Sequence, residues 1–387
     1  MFKIKTLNNI SPAGLSRFDI NEYEVGNDIE HEDGIILRSA SMHEMEFEPS
    51  LKAVARAGAG VNNIPVEKCA EQGIVVFNTP GANANAVKEL VMTGLLISAR
   101  KVYPGMAWVQ TLKGEEGVDK LVEKGKNKFI GPELAGKSLG VIGLGAIGIK
   151  VANLALHLGM KVYGYDPFIS VASAWELSRS VVHAKTLEEI YKNCDFITIH
   201  VPQNKDTKGM INAASIRSMK QGVRILNFAR GGLVNDDDML EALEEGNVRC
   251  YVTDFPNEKL LGNKGVLAIP HLGASTPESE DNCARMAAEE LIDFLENGNI
   301  KNSVNFPNVS LDRSGDARIG CIHKNMPNII AQISGCFGAA NANIENMVNK
   351  SKNDYAYTLI DVNGEVTKDI VEKLSQIEGV IRVNVYR

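Results

Sequence analysis

The chain has 387 residues, 44% of them hydrophobic and 23% charged, with a formal net charge of −7. That length supports two or three domains, each with its own core. The acidic balance, without a Lys/Arg block, argues against a general nucleic-acid or anionic-membrane binder. Six cysteines without CxxC spacing argue against a disulfide framework or a zinc site, and no metal is expected. No apolar run approaches the ~20 residues of a membrane span. "MFKIKTLNNISP" has no signal-type apolar stretch, so a reducing cytoplasm is the expected compartment.

In chain order, "GIILRS" (34–39), "LKAVARAG" (51–58) and "GIVVFNTP" (73–80) read as strands ending in polar or Gly/Pro residues, where a parallel sheet presents its loops. "VEKCAEQG" reads as a short helix stopped by Gly73. A long helix is expected from Asn83 to about Val109, capped by Asn83 or Asn85 and bent or ended by Pro104. Residues 115–128 are polar and read as a solvated connection. From Lys137 to Pro270 strands alternate with helices. The strand runs are "SLGVIG", "KVYGYD", "FITIHVP", "VRILNFA", "RCYVTDF" and "VLAIPH", and helical runs include 146–158, 186–192 and 236–245. This alternation predicts a doubly wound parallel α/β sheet. Residues 276–298 read as one helix capped by Thr276, with Glu278 and Glu280 in its first turn. The Pro/Asn/Ser-rich stretch 305–316 reads as a linker. The remaining residues follow a β-α-β-β-α-β order, which suits a small α+β sheet covered on one face by two helices.

"GVIGLGAIG" fits G-x-G-x-x-G at Gly143, Gly145 and Gly148, between a strand and a helix, and Asp166 ends the next strand. Gly143 permits the tight turn, Gly145 lets backbone amides meet a pyrophosphate, and Gly148 lets helix and strand pack closely. A carboxylate at Asp166 would bond both ribose hydroxyls and repel a 2′-phosphate, which predicts NAD over NADP.

Hydride transfer to a nicotinamide needs an anion holder and a tuned proton carrier. Arg230, ending "VRILNFAR", suits a bidentate grip on an α-hydroxy carboxylate. His271, in "IPHLGAST", suits the proton carrier, and Glu258, in "DFPNEKL", would orient the ring and favour its protonated form. All three lie past the C-terminal ends of strands in one predicted sheet, the edge where doubly wound folds bind ligands. His200 sits at the same edge and reads as structural or cofactor-adjacent.

"GLGAIG…YDP", "NFARGGLVND" and "PHLGAST", in this order, resemble the NAD-dependent D-2-hydroxyacid dehydrogenases, and the resemblance covers about residues 34–300. It implies two Rossmann-like domains. Residues 1–97 and 279–304 would form a discontinuous substrate-binding domain, with an NAD-binding domain at 98–278. A linker at 305–316 and a C-terminal α+β domain resembling the ACT regulatory module, 317–387, would follow. It carries the catalytic roles to Arg230, Glu258 and His271. Besides the glycines and Asp166 it implies cofactor contacts from Ala146, Ile147, Val201, Pro202, Phe228, Ala229, Asp254, His271, Gly273 and Ala274. Where relatives read "DVFxxEP", Thr253 takes the usual aspartate position and Asp254 comes one residue later, so either could meet the nicotinamide.

"LRSAS" and "ARAGAG" resemble loops of the family's phosphoglycerate-oxidising branch. They imply substrate contacts from Arg38, Ser39, Arg56, Gly58, Asn78 and Arg230, and a small phosphorylated 2-hydroxyacid as substrate. An unphosphorylated acid such as glycerate or lactate, or a non-enzymatic NAD-sensing role, are the alternatives. In the tail the resemblance implies an L-serine effector near His323, Asn325 and Asn343, with Asn328 where relatives carry glycine. It also implies a homodimer or homotetramer.

Overall fold

In the computed structural model, which describes residues 1–386, the chain divides into two compact units, Met1–Asn83 with Pro277–Arg387, and Ala84–Thr276. Arg387, the last residue of the final predicted strand, lies outside the described residues.

The first unit holds a five-stranded parallel sheet of β1 (Phe2–Leu7), β2 (Tyr23–Gly26), β3 (Gly34–Leu37), β4 (Ala53–Arg56) and β5 (Val75–Asn78), in the order β2-β1-β3-β4-β5. β3, β4 and β5 are near-continuous apolar runs because both faces of the sheet are covered. The helix Pro277–Asn297 returns to this unit. Its Cys283, Ala287, Leu291 and Phe294 pack in one core with Ile36, Ala53, Ala55, Val75 and Phe77. Its face suits close approach, since a Cβ on Gly14 would lie 2.5 Å from the Ala284 backbone.

The second unit is a seven-stranded parallel sheet: β6 (Ser138–Ile142), β7 (Lys161–Tyr165), β8 (Val182–His183), β9 (Phe196–Ile199), β10 (Val223–Asn227), β11 (Val248–Thr253) and β12 (Val266–Ala268). The order is β12-β11-β10-β9-β6-β7-β8, so the winding reverses between β6 and β9. The helix Ala84–Ala99 packs here through Val87, Val91 and Leu95, beside Leu139, Val141 and Phe228. Residues 84–97, assigned above to the substrate-binding domain, therefore group with the nucleotide-binding unit. That helix stops at Ala99, and a second one, Val102–Gln110, carries Pro104 in its first turn, where no backbone N–H is needed. The expected single helix is thus two. The polar stretch 115–128 contains the helix Val118–Gly125 and the start of a 3-10 turn, Lys126–Phe129.

The C-terminal residues form the antiparallel sheet β13 (Ala317–Lys324), β14 (Asn343–Lys352), β15 (Tyr355–Asn363) and β16 (Val380–Tyr386), ordered β14-β15-β13-β16. The helices Ile329–Ala339 and Lys368–Ser375 cover one face through Ile333, Phe337, Ile370 and Leu374. The opposite face is buried too. Tyr357, Leu359 and Tyr386 share the core of Phe294 and Phe306. There the fully buried Arg318 grips Asp361 through two bonds of 2.6 and 2.8 Å and donates to the Asn297 carbonyl at 3.0 Å.

The stretch 305–316 is correspondingly not a free linker. Phe306 and Val309 are fully buried, Asn305 bonds the Val76 amide and the Ile74 carbonyl, and Ile300 pairs with Val309. The tail belongs to the first unit instead of standing as a third one.

Candidate active site

The three fingerprint glycines differ in their local geometry. Gly143 has φ +92, and a Cβ there would lie 2.6 Å from the His200 carbonyl oxygen. A Cβ on Gly148 would strike the Gly143 oxygen, which ties helix to strand. A Cβ on Gly145 would meet nothing within 4 Å. That residue instead opens the space in front of the helix Ala146–His157, whose N-terminus has no side-chain cap. Its unpaired amides and dipole suit a pyrophosphate. Ala146 is exposed and Ile147 half-buried, with Val201 packed beside the Gly143 turn and Pro202 exposed.

Asp166 follows β7 and accepts from the Leu144 amide through one oxygen and the Phe168 amide through the other, both at 2.8 Å. The carboxylate is thereby fixed beside the glycine turn, with lone pairs left for two ribose hydroxyls.

Arg230, Asp254 and His271 follow β10, β11 and β12 at the same edge of the sheet. Arg230 is extended, exposed and bonded to the Ala229 carbonyl at 2.7 Å. Asn227 shapes its turn. This buried side chain donates to the Arg230 carbonyl at 2.9 Å, lies 3.3 Å from the Tyr251 hydroxyl, and accepts from the Ala229 amide. Sequence reasoning passed over Asn227, although a polar residue closing an apolar strand was the available signal. Gly231 approaches Phe255, and any side chain on Gly232 would crowd Gln203.

The His271 ring is exposed and stacks obliquely on Phe255, with centroids 4.6 Å apart. Asp254 is 1% exposed. Burial raises its carboxyl above the usual range, while His271, the Gly273 backbone and Arg230 pull it back. Its Oδ1 is buried without a hydrogen-bond partner. Thr253 is turned to other work, accepting from the Phe255 amide at 3.1 Å. The unpaired Asp254 oxygen, not Thr253, fits a carboxamide donor such as that of a nicotinamide.

Glu258 is exposed and pairs with no described residue, His271 included, because it sits in the turn after Pro256 instead of on the sheet edge. The Phe228 side chain is buried against Gly94. Ala229 and Ala274 are half-buried and Gly273 is buried. His200 is held neutral: burial pushes it down to about 3, and Thr198 bonds its Nε2 at 2.9 Å.

In the first unit, Arg38, Arg56 and Asn78 follow or end β3, β4 and β5 at one sheet edge. Arg38 Nη1 pairs with Glu280 at 2.6 Å. Arg56 Nε donates to the Arg38 carbonyl at 3.0 Å. The Ser39 amide bonds Asn8, and Asn78 donates to the Ala59 carbonyl at 2.6 Å. Gly58 has φ +158 and lies against the Arg56 guanidinium.

The three tail residues do not converge within one chain. His323 is buried, with Nδ1 at 2.8 Å from the Lys324 carbonyl and Nε2 at 2.8 Å from Thr358. Asn325 is exposed and donates to the Asn353 carbonyl at 3.1 Å. His323 pairs with Ala356 of β15, whereas Asn343 pairs with Asn363 at its other end, about 23 Å away at 3.3 Å per residue. Asn328 has φ +65, the conformation that glycine takes freely and asparagine tolerates.

A doubly wound sheet with a glycine cradle, a carboxylate fixed beside it, and an arginine and histidine past its strand ends defines the nicotinamide-dependent dehydrogenase class. Comparison with known proteins narrows that class. The profile of the D-isomer specific 2-hydroxyacid dehydrogenase, NAD binding domain, matches residues 92–273. A D-3-phosphoglycerate dehydrogenase of Haemophilus influenzae is 33% identical over 353 residues, 88% of this chain and 82% of that one. One of Bacillus subtilis is 34% identical over 313 residues, 79% of this chain, which spans only 57% of that longer relative. A cofactor (NAD+)-bound 3-phosphoglycerate dehydrogenase structure from Entamoeba histolytica matches 79% of this chain and 98% of its own, with 28% identity and a TM-score of 0.60. The chain belongs to the D-isomer-specific 2-hydroxyacid dehydrogenase family, and NAD is its cofactor.

Proposed function

We propose that the protein oxidises 3-phospho-D-glycerate to 3-phosphohydroxypyruvate, the entry step of the phosphorylated route to serine. The observation that carries this reading is the gathering of Arg230, Asp254 and His271 past the strand ends of the sheet whose β6 leads into the glycine cradle. The names of the Haemophilus and Bacillus relatives support the phosphorylated substrate.

Bound NAD supplies a hydride acceptor. Gly143, Gly145, Gly148, Ala146 and Ile147 would hold its pyrophosphate, Asp166 its ribose, and Asp254 its carboxamide. Val201, Pro202, Ala229, Ala274 and the Phe228 backbone would line the remainder. Arg230 grips the substrate carboxylate and the reacting oxygen, and His271 accepts the hydroxyl proton in oxidation and returns it in reduction. Arg38 and Arg56, with Ser39, Gly58 and Asn78, would serve the phosphorylated end.

The partner of His271 has two readings. Glu258 is the family's expectation. The burial of Asp254 and its electrostatic coupling to His271 favour Asp254. Glu258→Gln and Asp254→Asn separate them, because the true partner's variant shifts the acidic limb of the kcat/KM pH profile for oxidation downward and the other leaves it in place.

The tail has the β-α-β-β-α-β order of an ACT-like module, and we infer an effector role for it with L-serine as ligand. A site using His323, Asn325 and Asn343 together would need two chains, as in a homodimer or homotetramer. The test is initial-rate NADH formation with 3-phosphoglycerate, D-glycerate and D-lactate, each with and without L-serine, alongside phosphohydroxypyruvate reduction. Preference for the phosphorylated pair supports the substrate, and turnover only of unphosphorylated acids refutes it. Absence of turnover with NAD still bound would favour an NAD-sensing role.

A further inference from the structure

Beneath the turn that carries Arg230, three polar side chains of β10 and β11 are sealed from water. Asn227 and Thr253 are fully buried and Tyr251 is 1% exposed. Tyr251 pairs with Ile225 and Thr253 with Asn227 across the two strands, so the two-residue spacing puts all three on one face of the sheet. That face is otherwise apolar, with Ile225, Leu233 and Met239 in its core. Buried polar groups there are costly unless bonded, and a fully bonded set rigidifies what it joins.

The bonds run in two directions from the Tyr251 hydroxyl. On the β10 side it accepts from Asn227 Nδ2 at 3.3 Å. The same nitrogen donates to the Arg230 carbonyl at 2.9 Å, and Asn227 Oδ1 accepts from the Ala229 amide at 3.2 Å. On the β11 side the Thr253 hydroxyl bonds it, and the Thr253 oxygen accepts from the Phe255 amide at 3.1 Å. The Phe255 ring in turn lies against the His271 ring, with centroids 4.6 Å apart. Burial lifts the Tyr251 hydroxyl above its ordinary range while Asn227 and Thr253 pull it back, so the group stays neutral and keeps both bonds.

We propose that Tyr251 is a positioning residue whose hydroxyl joins the Arg230 turn to the Phe255–His271 stack and so sets the anion holder and the proton carrier in mutual register. This role rests on the hydride-transfer reading of Arg230 and His271. Tyr251, Asn227 and Thr253 act through the groups they bond, not on substrate. Register matters at such a site because a misplacement of about 1 Å can cost about 10²-fold in rate.

Two near-isosteric variants each remove a hydroxyl: Tyr251→Phe and Thr253→Val. The first arm of the test is hydrogen–deuterium exchange of the full chain loaded with NAD, which needs no turnover. In Tyr251→Phe the amides of 228–232 and 254–255 should exchange about threefold faster or more, with those of β7 unchanged. In Thr253→Val only 254–255 should respond. The second arm is reduction of phosphohydroxypyruvate, or of hydroxypyruvate should the wild type accept only the unphosphorylated acid. Tyr251→Phe should lower kcat/KM by about fivefold or more while NADH affinity stays near wild type. In an Arg230→Lys background the same substitution should cost little, because the grip it aims is already lost. A purely structural tyrosine would lower the melting temperature and leave the two losses additive. Exchange unchanged at both segments, or additive losses in the cycle, would overturn the proposal. A wild type that reduces neither acid would instead fault the hydride-transfer reading, and the exchange arm alone then decides whether Tyr251 joins the two segments.

Discussion

Two histidines at the same sheet edge have opposite fates. Burial keeps His200 neutral through the physiological range, so it cannot shuttle a proton. His271 is exposed beside Phe255 and the buried Asp254. Replacing His271 with Asn should lower kcat by about 10²–10⁴-fold, a typical general acid–base contribution, while NAD affinity measured by fluorescence titration stays near wild type. Arg230→Lys should lower kcat/KM for the acid substrate more than it changes NAD affinity, because an ammonium cannot reproduce the two-pronged grip.

Glu290 yields a pH prediction. Burial lifts its folded pKa to about 8, above the ordinary 4.5, so between those values the folded chain holds the proton that the unfolded chain has released. Stability contributed by this group is full below pH 4.5 and falls as pH rises through 8. Thermal melts from acid to mildly alkaline pH should show a shallower decline in Glu290→Gln. Such residues differ in legibility. Arg230 and His271 announced themselves by following strands, whereas the separate settings of Asp254, Thr253 and Glu258 depend on which side chain faces the sheet edge, and a one-residue shift against relatives hid that.

At the scale of elements, the three glycines separate packing from binding. Gly148→Ala drives a methyl into the Gly143 carbonyl and should destabilise the whole nucleotide-binding unit. Gly145→Ala meets nothing within 4 Å and should leave stability within about 0.5 kcal/mol, as for an ordinary surface change, while weakening NAD binding. Equal loss of melting temperature in both would contradict the division of roles. The fingerprint was legible because its spacing encodes a turn, an approach and a contact. β1 was not, although it lies inside the sheet, because Lys3 and Lys5 deny it the near-continuous apolar run that marks β3, β4 and β5. Their stems lie along the sheet while their heads reach the Glu30 carbonyl and the buried Glu32.

For the whole molecule, the C-terminal sheet is a structural part of the first unit. Composition could not show this: Pro, Asn and Ser mark free linkers and also segments, such as the one through Asn305, whose side chains bond a neighbouring strand. Burial alone would raise the Asp361 carboxyl, but Arg318 and Ser314 outweigh it and hold it below the ordinary carboxylate range. Its stabilisation is therefore present at neutral pH and lost as the medium is acidified through that lowered value. Asp361→Asn strands the Arg318 charge and should cost about 3–5 kcal/mol, read as a drop in the denaturant midpoint. Truncation after residue 316 would bare Phe294 and Phe306 and should yield an aggregating chain instead of an unregulated enzyme.

The central claim, hydride transfer at the edge that carries Arg230 and His271, is tested most directly by following the label from NADH deuterated at the transferring position during reduction of phosphohydroxypyruvate. The account predicts deuterium at C2 of the resulting 3-phosphoglycerate, with the rate of its appearance collapsing in His271→Asn. Label retained in the cofactor, with NADH demonstrably bound, would contradict it.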